Sequence, residues 1–216
     1  MIISGMYDYA NGKNQIVDFD GYSFSKSGTD YYVLCNSLTN PSEDIMESFD
    51  NHGIQSVNHI NDAFLFTKST KDSLLIFSDL MNALWTLYYV EANDKFYYST
   101  SLKRLLAMSL IPRQIDLYSA RVFLQKGFLP NKSTLLKFVC KLSFGDHIIV
   151  DKKGFKVIPY SDNEVFYIFD SEKNNANLIN RIQDEVLRYA ELMKDVYMPL
   201  SGGYDSNLVL HTIYQH

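Results

Sequence analysis

The spacing of apolar and polar residues divides the first hundred residues into short strands and one helix. Turn pairs such as Asn11-Gly12 and Ser27-Gly28 interrupt apolar stretches over residues 1–40, which predicts hairpins. Apolar residues at helical spacing behind Ser42 predict a helix over residues 42–53. Four strands predicted to form one antiparallel meander follow, over residues 63–67, 73–77, 84–90 and 95–99.

After residue 99 the apolar period changes to that of helices. One helix is predicted over residues 102–108, before Pro112, and a second over residues 118–124, behind Asp116 as its cap. Strands over residues 142–150 and 155–158 flank the turn Lys153-Gly154 as a further hairpin. Strands on both sides of helices predict a layered α+β domain over residues 1–160.

The remainder of the chain has a different organisation. Residues 161–175 are polar and acidic, which is typical of a linker. A helix with one apolar stripe is predicted over residues 177–194, and the apolar run 196–200 predicts a short buried strand. A loop and a second helix follow, so residues 176–216 have the order helix, strand, loop, helix.

The loop after this run, Ser201-Gly202-Gly203-Tyr204-Asp205-Ser206, carries the strongest chemical signal. Two glycines let the backbone approach a ligand, and the free amides that open a helix attract anions. The serine hydroxyls can donate to phosphate, and the aspartate can bind Mg²⁺. The alternative is an ordinary turn that caps a helix. The predicted nucleotide-binding residues are Leu200, Ser201, Gly202, Gly203, Asp205 and Ser206, with Asp205 as the metal ligand.

Composition narrows the classes of function. The chain has 216 residues, 46% of them hydrophobic, and a net charge of −5 without a basic stripe. We therefore expect a sizeable core, no nucleic-acid partner and no membrane span. Cys35 and Cys140 lack metal-site spacing and are expected to be reduced, buried thiols. The N-terminus has no basic region before an apolar stretch, which favours a cytoplasmic protein.

The loop resembles the SGGxDS pyrophosphate loop of the ATP pyrophosphatase superfamily, and the order of motifs resembles the asparagine synthetase family over nearly the whole chain. Residues 60–66, 78–89, 96–106 and 127–147 are similar to that family's signatures L-x-G-x-F-A-F, R-D-x-x-G...P-L-Y-Y, Y-F-A-S-E-x-K-A-L-L and G-Y-x-P through L-P-P-G-H. The resemblance implies an N-terminal nucleophile-type α-β-β-α sandwich of the glutamine amidotransferase kind over residues 1–160. It also implies that residues 176–216 begin an α/β nucleotide-binding domain.

Departures from the family change the expected activity. Ser4 stands at the position of the nucleophilic cysteine, behind Met1, Ile2 and Ile3, so no free α-amino group lies beside it as a base. The glutamine-binding signatures R-G-P-D and N-G-E-I-Y-N are absent, and Pro41 replaces a substrate-binding acid. We predict that glutamine hydrolysis is lost. In this the chain is similar to the β-lactam synthetases and lasso-peptide cyclases.

Two functions from different classes are compatible with these observations. The resemblance implies an ATP-dependent amide-bond-forming ligase that uses ATP and Mg²⁺, adenylates an unknown carboxylate or peptide substrate and releases pyrophosphate. The family's remaining catalytic groups lie downstream of the loop, so we expect a chain that is inactive alone or that a second chain completes. The alternative is a non-catalytic scaffold that binds a peptide or a protein partner.

Overall fold

The computed structural model describes residues 1–35, 48–49, 53, 63–79, 82, 84–159, 172–192 and 195–215. The chain divides into two compact units, residues 1–160 (unit 1) and residues 161–216 (unit 2). This boundary coincides with the predicted end of the α+β domain. Most of the helix predicted over residues 42–53 lies outside the described residues, which include only Ser48, Phe49 and Gly53 of it.

The described part of unit 1 contains two antiparallel sheets and two helices. The strands are β1 (Ile2–Asp8), β2 (Lys13–Asp20), β3 (Tyr22–Lys26), β4 (Thr29–Cys35), β5 (Phe64–Ser69), β6 (Ser73–Ser78), β7 (Tyr88–Ala92), β8 (Lys95–Ser99), β9 (Cys140–Lys141), β10 (Asp146–Asp151) and β11 (Gly154–Pro159). The helices are α1 (Leu102–Ser109) and α2 (Leu117–Lys126). The first sheet has the order β2-β1-β8-β7-β9, and the second has the order β11-β10-β6-β5-β4-β3.

The two sheets bury a shared core between their facing sides. Alternate residues of β6, such as Leu74 and Ile76, face this core, while Leu75 and Phe77 face away, as the two-residue period of a strand requires. The buried residues of the shared core are Ile3, Tyr7, Leu34, Leu65, Leu74, Ile76, Leu87, Tyr89, Phe96, Tyr98, Leu142, Ile148 and Val150. They come from both sheets, so unit 1 is a sandwich.

The outer faces of both sheets are also apolar and covered. On the first sheet, Leu105 of α1 packs with Val90 and Tyr97. On the second sheet, the ring of Phe49 stacks on Phe66 and Phe77, with ring centroids 5.0 and 5.3 Å apart. The described residues therefore establish a helical layer and two sheets, and Phe49 covers the side where the fourth layer of the expected α-β-β-α sandwich is predicted.

The helices of unit 1 follow local signals that the sequence displays. The Asp116 carboxylate accepts hydrogen bonds from the amides of Tyr118 and Ser119, which caps the start of α2. Gly127 ends this helix in the left-handed conformation, φ 77°, and its amide donates to the Phe123 carbonyl. The predicted cap and both predicted helices of unit 1 after residue 99 are confirmed.

The predicted four-stranded meander is wrong. Hairpin β5–β6 belongs to the second sheet and hairpin β7–β8 to the first, so the chain crosses between sheets after β6. The strand predicted over residues 84–90 begins only at Tyr88, and Leu87 just before it is already buried in the shared core. An apolar pattern shows which faces of a strand are buried. Because both sheets here are buried on both faces, the pattern does not show which sheet a strand joins.

One end of the sandwich is held by polar contacts at the turn between β5 and β6. The Tyr7 hydroxyl on the first sheet donates a hydrogen bond to the Asp72 carbonyl on this turn, at 2.8 Å. The Asp72 carboxylate also pairs with the Lys152 ammonium, at 3.1 Å. Burial and nearby carboxylates raise the pKa of the Tyr7 phenol, so it stays a neutral donor.

Unit 2 has two described helices, α3 (Glu172–Leu192) and α4 (Tyr204–Gln215), which pack against each other. Helix α3 begins at Glu172, within the range 161–175 that is predicted as a linker. The strand predicted over residues 196–200 is absent, and Val196, Tyr197 and Leu200 are exposed. A strand needs a hydrogen-bonded neighbour, and the described part of unit 2 has none to offer. No helix among the described residues is long and apolar enough to span a membrane.

Gly5 lies where the Tyr98 ring crosses β1 to donate a hydrogen bond to the Asn14 side chain. A Cβ atom at Gly5 would lie 2.5 Å from the Tyr98 hydroxyl and 2.9 Å from the Gln15 carbonyl. We therefore expect Gly5→Ala to lower the free energy of unfolding by about 1–3 kcal/mol, the usual cost of overpacking. Urea unfolding measures the change. Gly28→Asn is the control, because a Cβ at Gly28 meets no atom within 4 Å and asparagine is one of the residues that tolerate the left-handed φ of 78° there. An unchanged midpoint for Gly5→Ala would contradict this packing.

His147 of β10 is buried, and burial lowers the pKa of its imidazole, against the opposing effect of Asp146. In the unfolded state the His147 imidazole therefore binds a proton near pH 6.5, whereas in the folded state it is protonated only at lower pH. We expect the contribution of the neutral His147 imidazole to the free energy of unfolding to fall as the pH drops from 7.5 to 5.5. His147→Gln should reduce this pH dependence. Urea midpoints at the two pH values test the expectation. Equal pH dependence in the variant and the parent would contradict it.

Candidate functional site

The predicted site residues lie in two places, Ser4 in unit 1 and the other six residues in unit 2. Ser4 belongs to β1 and is paired with Ser99 of β8. Because Met6 and Tyr97 face α1, the same alternation places Ser4 and Ser99 on the outer face of the first sheet, near the start of that helix. Ser4 is 1% exposed, so a substrate has no access to its hydroxyl.

The hydrogen bonds around Ser4 are those of a structural serine. Its hydroxyl lies 2.7 Å from the Ser99 hydroxyl, which in turn accepts a hydrogen bond from the Ser101 amide at 2.9 Å. Among the described residues Ser4 has no other side-chain partner, and a serine nucleophile needs an adjacent base. The α-amino group of Met1 instead pairs with Asp20, at 3.3 Å.

The residues of unit 2 that are predicted to bind nucleotide form a tight turn at the start of α4. Gly202 adopts the left-handed conformation, with φ 75°. The Ser201 hydroxyl accepts a hydrogen bond from the Gly203 amide at 3.3 Å and lies 3.1 Å from the Ser206 hydroxyl. The structure thus brings Ser201, Gly202, Gly203 and Ser206 together in one turn.

The amides that follow are placed for anion binding. The first hydrogen bond of α4 runs from the Asn207 amide to the Gly203 carbonyl, at 3.3 Å. The amides of Tyr204, Asp205 and Ser206 precede it and lie at the positive end of the helix dipole. The turn has the components of a phosphate site, and its two hydroxyls also serve as the helix cap.

The surroundings of this turn are open. Leu200 is 59% exposed, and Asp205 is exposed in the first turn of α4. The described residues contain no cluster of three or more His, Cys, Asp or Glu side chains, so Asp205 offers Mg²⁺ a single carboxylate. Beside the turn, the exposed face of α4 borders an open groove of about 940 Å³ lined by residues that include Tyr204, Leu208 and Tyr214.

Sequence reasoning missed a second concave site, in unit 1. A cavity of about 760 Å³ is lined by Asn82, by residues 128–131 after α2, and by residues 141–144 before β10. The available signal was a local imbalance of charge, since residues 102–145 contain eight Lys or Arg residues and one acid, Asp116. The overall net charge of −5 conceals this local excess of basic residues.

Unit 1 is a two-sheet sandwich, and unit 2 carries a glycine-containing turn at the start of a helix. No protein-family profile matches the chain, and no curated protein sequence matches it. Its fold is similar in part to the glutamine phosphoribosylpyrophosphate amidotransferase of B. subtilis, complexed with ADP and GMP, at 10% identity and a TM-score of 0.42. That match covers 74% of this chain and 43% of the amidotransferase.

A second solved structure, described as the allosteric regulatory enzyme of purine biosynthesis, matches at 11% identity with a TM-score of 0.38. It covers 67% of this chain and 31% of that enzyme. The chain therefore spans less than half the length of both proteins. The likeness to the asparagine synthetase family remains a prediction from the sequence motifs.

The geometry at Ser4 gives a direct expectation for glutamine hydrolysis. Because the Ser4 hydroxyl is buried and bonded to Ser99, purified protein should release glutamate from glutamine no faster than a buffer blank. An enzyme-coupled glutamate assay measures the rate, and Ser4→Ala should leave it unchanged. Release that Ser4→Ala abolishes would show that Ser4 is a nucleophile.

Proposed function

We propose that the chain carries the nucleotide-binding elements of an ATP-dependent, amide-bond-forming ligase whose sandwich unit does not hydrolyse glutamine. The observation that supports this best is the turn at Ser201–Ser206, in which a left-handed Gly202 and two serine hydroxyls precede free helix amides. The sequence motif and the local geometry point to the same chemistry, the binding of pyrophosphate oxygens.

Each residue of the turn has a role in this proposal. The amides of Tyr204, Asp205 and Ser206 donate to the phosphates of the substrate ATP. The hydroxyls of Ser201 and Ser206 also donate to them, in place of the hydrogen bonds that these hydroxyls make within the turn. Gly202 supplies the backbone conformation that exposes these donors. Mg²⁺ would neutralise phosphate charge when bound, and Asp205 would supply one of its oxygen ligands. Asp205 fits this role because it is exposed at the start of α4.

The source of the amine follows from the buried Ser4. A ligase that adenylates a carboxylate needs a nucleophilic amine, and hydrolysis of glutamine is one way to supply it. With Ser4 covered and lacking a base, the amine is proposed to belong to the substrate itself. The sandwich then serves to bind or orient a substrate or a second chain.

Calorimetric titration with Mg-ATP tests the nucleotide site. Because the turn is exposed, its contacts are weakened by water and salt, and we expect a dissociation constant of about 0.1–1 mM. Asp205→Asn should weaken binding of Mg-ATP, and Ser201→Ala should weaken binding of ATP with or without Mg²⁺. Asp184→Asn is the matched control, since Asp184 is an exposed carboxylate of α3.

Absence of saturable binding would contradict the proposal, and so would equal effects of Asp205→Asn and Asp184→Asn. The comparison of the two variants separates a specific Mg²⁺ ligand from a general effect of net charge. Binding of pyrophosphate alone, weakened by Ser201→Ala, would further support the assignment of the turn.

A second candidate function is a partner-binding module, and the exposed surface of α2 favours it. Leu117, Tyr118 and Leu124 of this helix are 81%, 77% and 84% exposed. Apolar side chains grouped in this way mark interaction surfaces more often than single exposed ones. Such a module would bind its partner without Mg-ATP, so a failed nucleotide titration would favour it over the ligase.

A further inference from the structure

The cavity of unit 1 has the size and composition of a small-molecule site. Its volume, about 760 Å³, lies within the usual range for ligand pockets. Three segments of the chain form it: the crossing between the sheets at Asn82 and Thr86, the loop after α2, and the residues that precede β10. None of these residues belongs to the nucleotide turn of unit 2.

Two aromatic rings and two aliphatic residues give the cavity an apolar wall. Phe128 and Phe144 line it while remaining 59% and 71% exposed, and Pro130 and Leu142 complete this side. Large aromatic side chains exposed beside a concave surface gain apolar contacts when a ligand binds there. The wall therefore favours a ligand with an apolar body.

Asn82 places an unused hydrogen-bond acceptor in the same wall. Its side-chain nitrogen donates to the Leu142 carbonyl at 3.1 Å, and the residue is 8% exposed. Its side-chain oxygen is buried and has no hydrogen-bond partner within the part of the chain that the structure describes. A buried acceptor without a partner is costly, and a ligand that donates an N–H or O–H group to it removes that cost.

Lys141 adds a cation without a counter-charge. It is half-buried in the cavity wall, and its ammonium donates to the Leu129 carbonyl at 3.1 Å. No carboxylate pairs with it among the described residues, although an ammonium group has three donors. The surrounding stretch, residues 102–145, is strongly cationic. An anionic group of a ligand is the missing partner.

We propose that this cavity binds a small amphiphilic carboxylate that carries an amide N–H, the chemistry of an apolar residue at the C-terminus of a peptide. The apolar side chain lies against Phe128 and Phe144, the amide N–H donates to Asn82, and the carboxylate pairs with Lys141. One lysine supplies a single point charge, which matches a carboxylate better than a phosphate dianion, since phosphate sites use several donors.

Titration of the full chain with N-acetyl-L-phenylalanine and with its primary amide tests the proposal. The two probes share the apolar ring and the amide N–H but differ in charge, so the acid should bind about ten-fold more tightly than the amide. Calorimetry gives both affinities. The fluorescence of Trp85, the single tryptophan and the neighbour of Thr86 in the cavity wall, gives an independent reading.

Lys141→Met should remove the preference for the acid and leave the weaker binding of the amide unchanged. Lys132→Met is the matched control, because Lys132 belongs to the same cationic stretch but does not line the cavity. Should Lys141→Met fail to fold, Lys141→Gln replaces it as the test, because glutamine keeps an N–H donor for the Leu129 carbonyl and removes the charge. It should likewise remove the preference for the acid.

Several results would overturn the proposal. Equal affinity of the parent protein for the acid and the amide would exclude Lys141 as the anion partner. Equal losses in Lys141→Met and Lys132→Met would show a general effect of charge. Tighter binding of inorganic phosphate than of the acid would exclude the carboxylate class. Because the probes contain no nucleotide, these outcomes are independent of Mg-ATP binding by unit 2.

Discussion

Each sheet of unit 1 is apolar on both faces, and this requires a cover on each side. The facing sides cover each other through residues such as Tyr7, Phe96 and Ile148. Helix α1 covers one outer face through Leu105, and Phe49 covers the other. Burial on this scale is the main stabilising term for such a unit, so the layers follow from the strands.

The same constraint limits the chemistry that unit 1 can perform. Ser4 lies on the outer face of the first sheet, which α1 covers. Its buried hydroxyl forms a hydrogen bond with the Ser99 hydroxyl. The neighbouring position requires glycine, because the Tyr98 ring occupies the space that a side chain would fill. Packing therefore accounts for Ser4 and Gly5, where the sequence resemblance places a nucleophile. Concave, partly polar surface is found instead where the chain crosses between sheets.

Elements with local signals could be predicted from the sequence, and elements that depend on distant partners could not. Helix α2 was predictable because Asp116 and Gly127 mark its ends. Sheet membership was not, because β6 and β7 have similar apolar patterns but belong to different sheets. The predicted strand at residues 196–200 failed for the same reason, since an apolar run does not supply a neighbouring strand.

The same distinction between local and distant residues applies to the candidate sites. The turn at Ser201–Ser206 is one contiguous segment, so its hydroxyls and glycine could be located from the motif alone. The cavity of unit 1 joins Asn82 to Phe128 and Lys141, which are distant in sequence and share no motif. Only the excess of lysine and arginine over residues 102–145 pointed to this region.

The bond from Tyr7 to the β5–β6 turn joins the two sheets at one end of the sandwich. Sliding of one sheet along the other would break this bond and move Asp72 away from its contacts. The strands extend from this end toward Ser4 and Ser78, and the chain crosses between the sheets at the far end. The cavity of unit 1 is lined by Asn82 and Thr86 of this crossing, so a ligand bound there lies away from the contact that fixes the two sheets to each other.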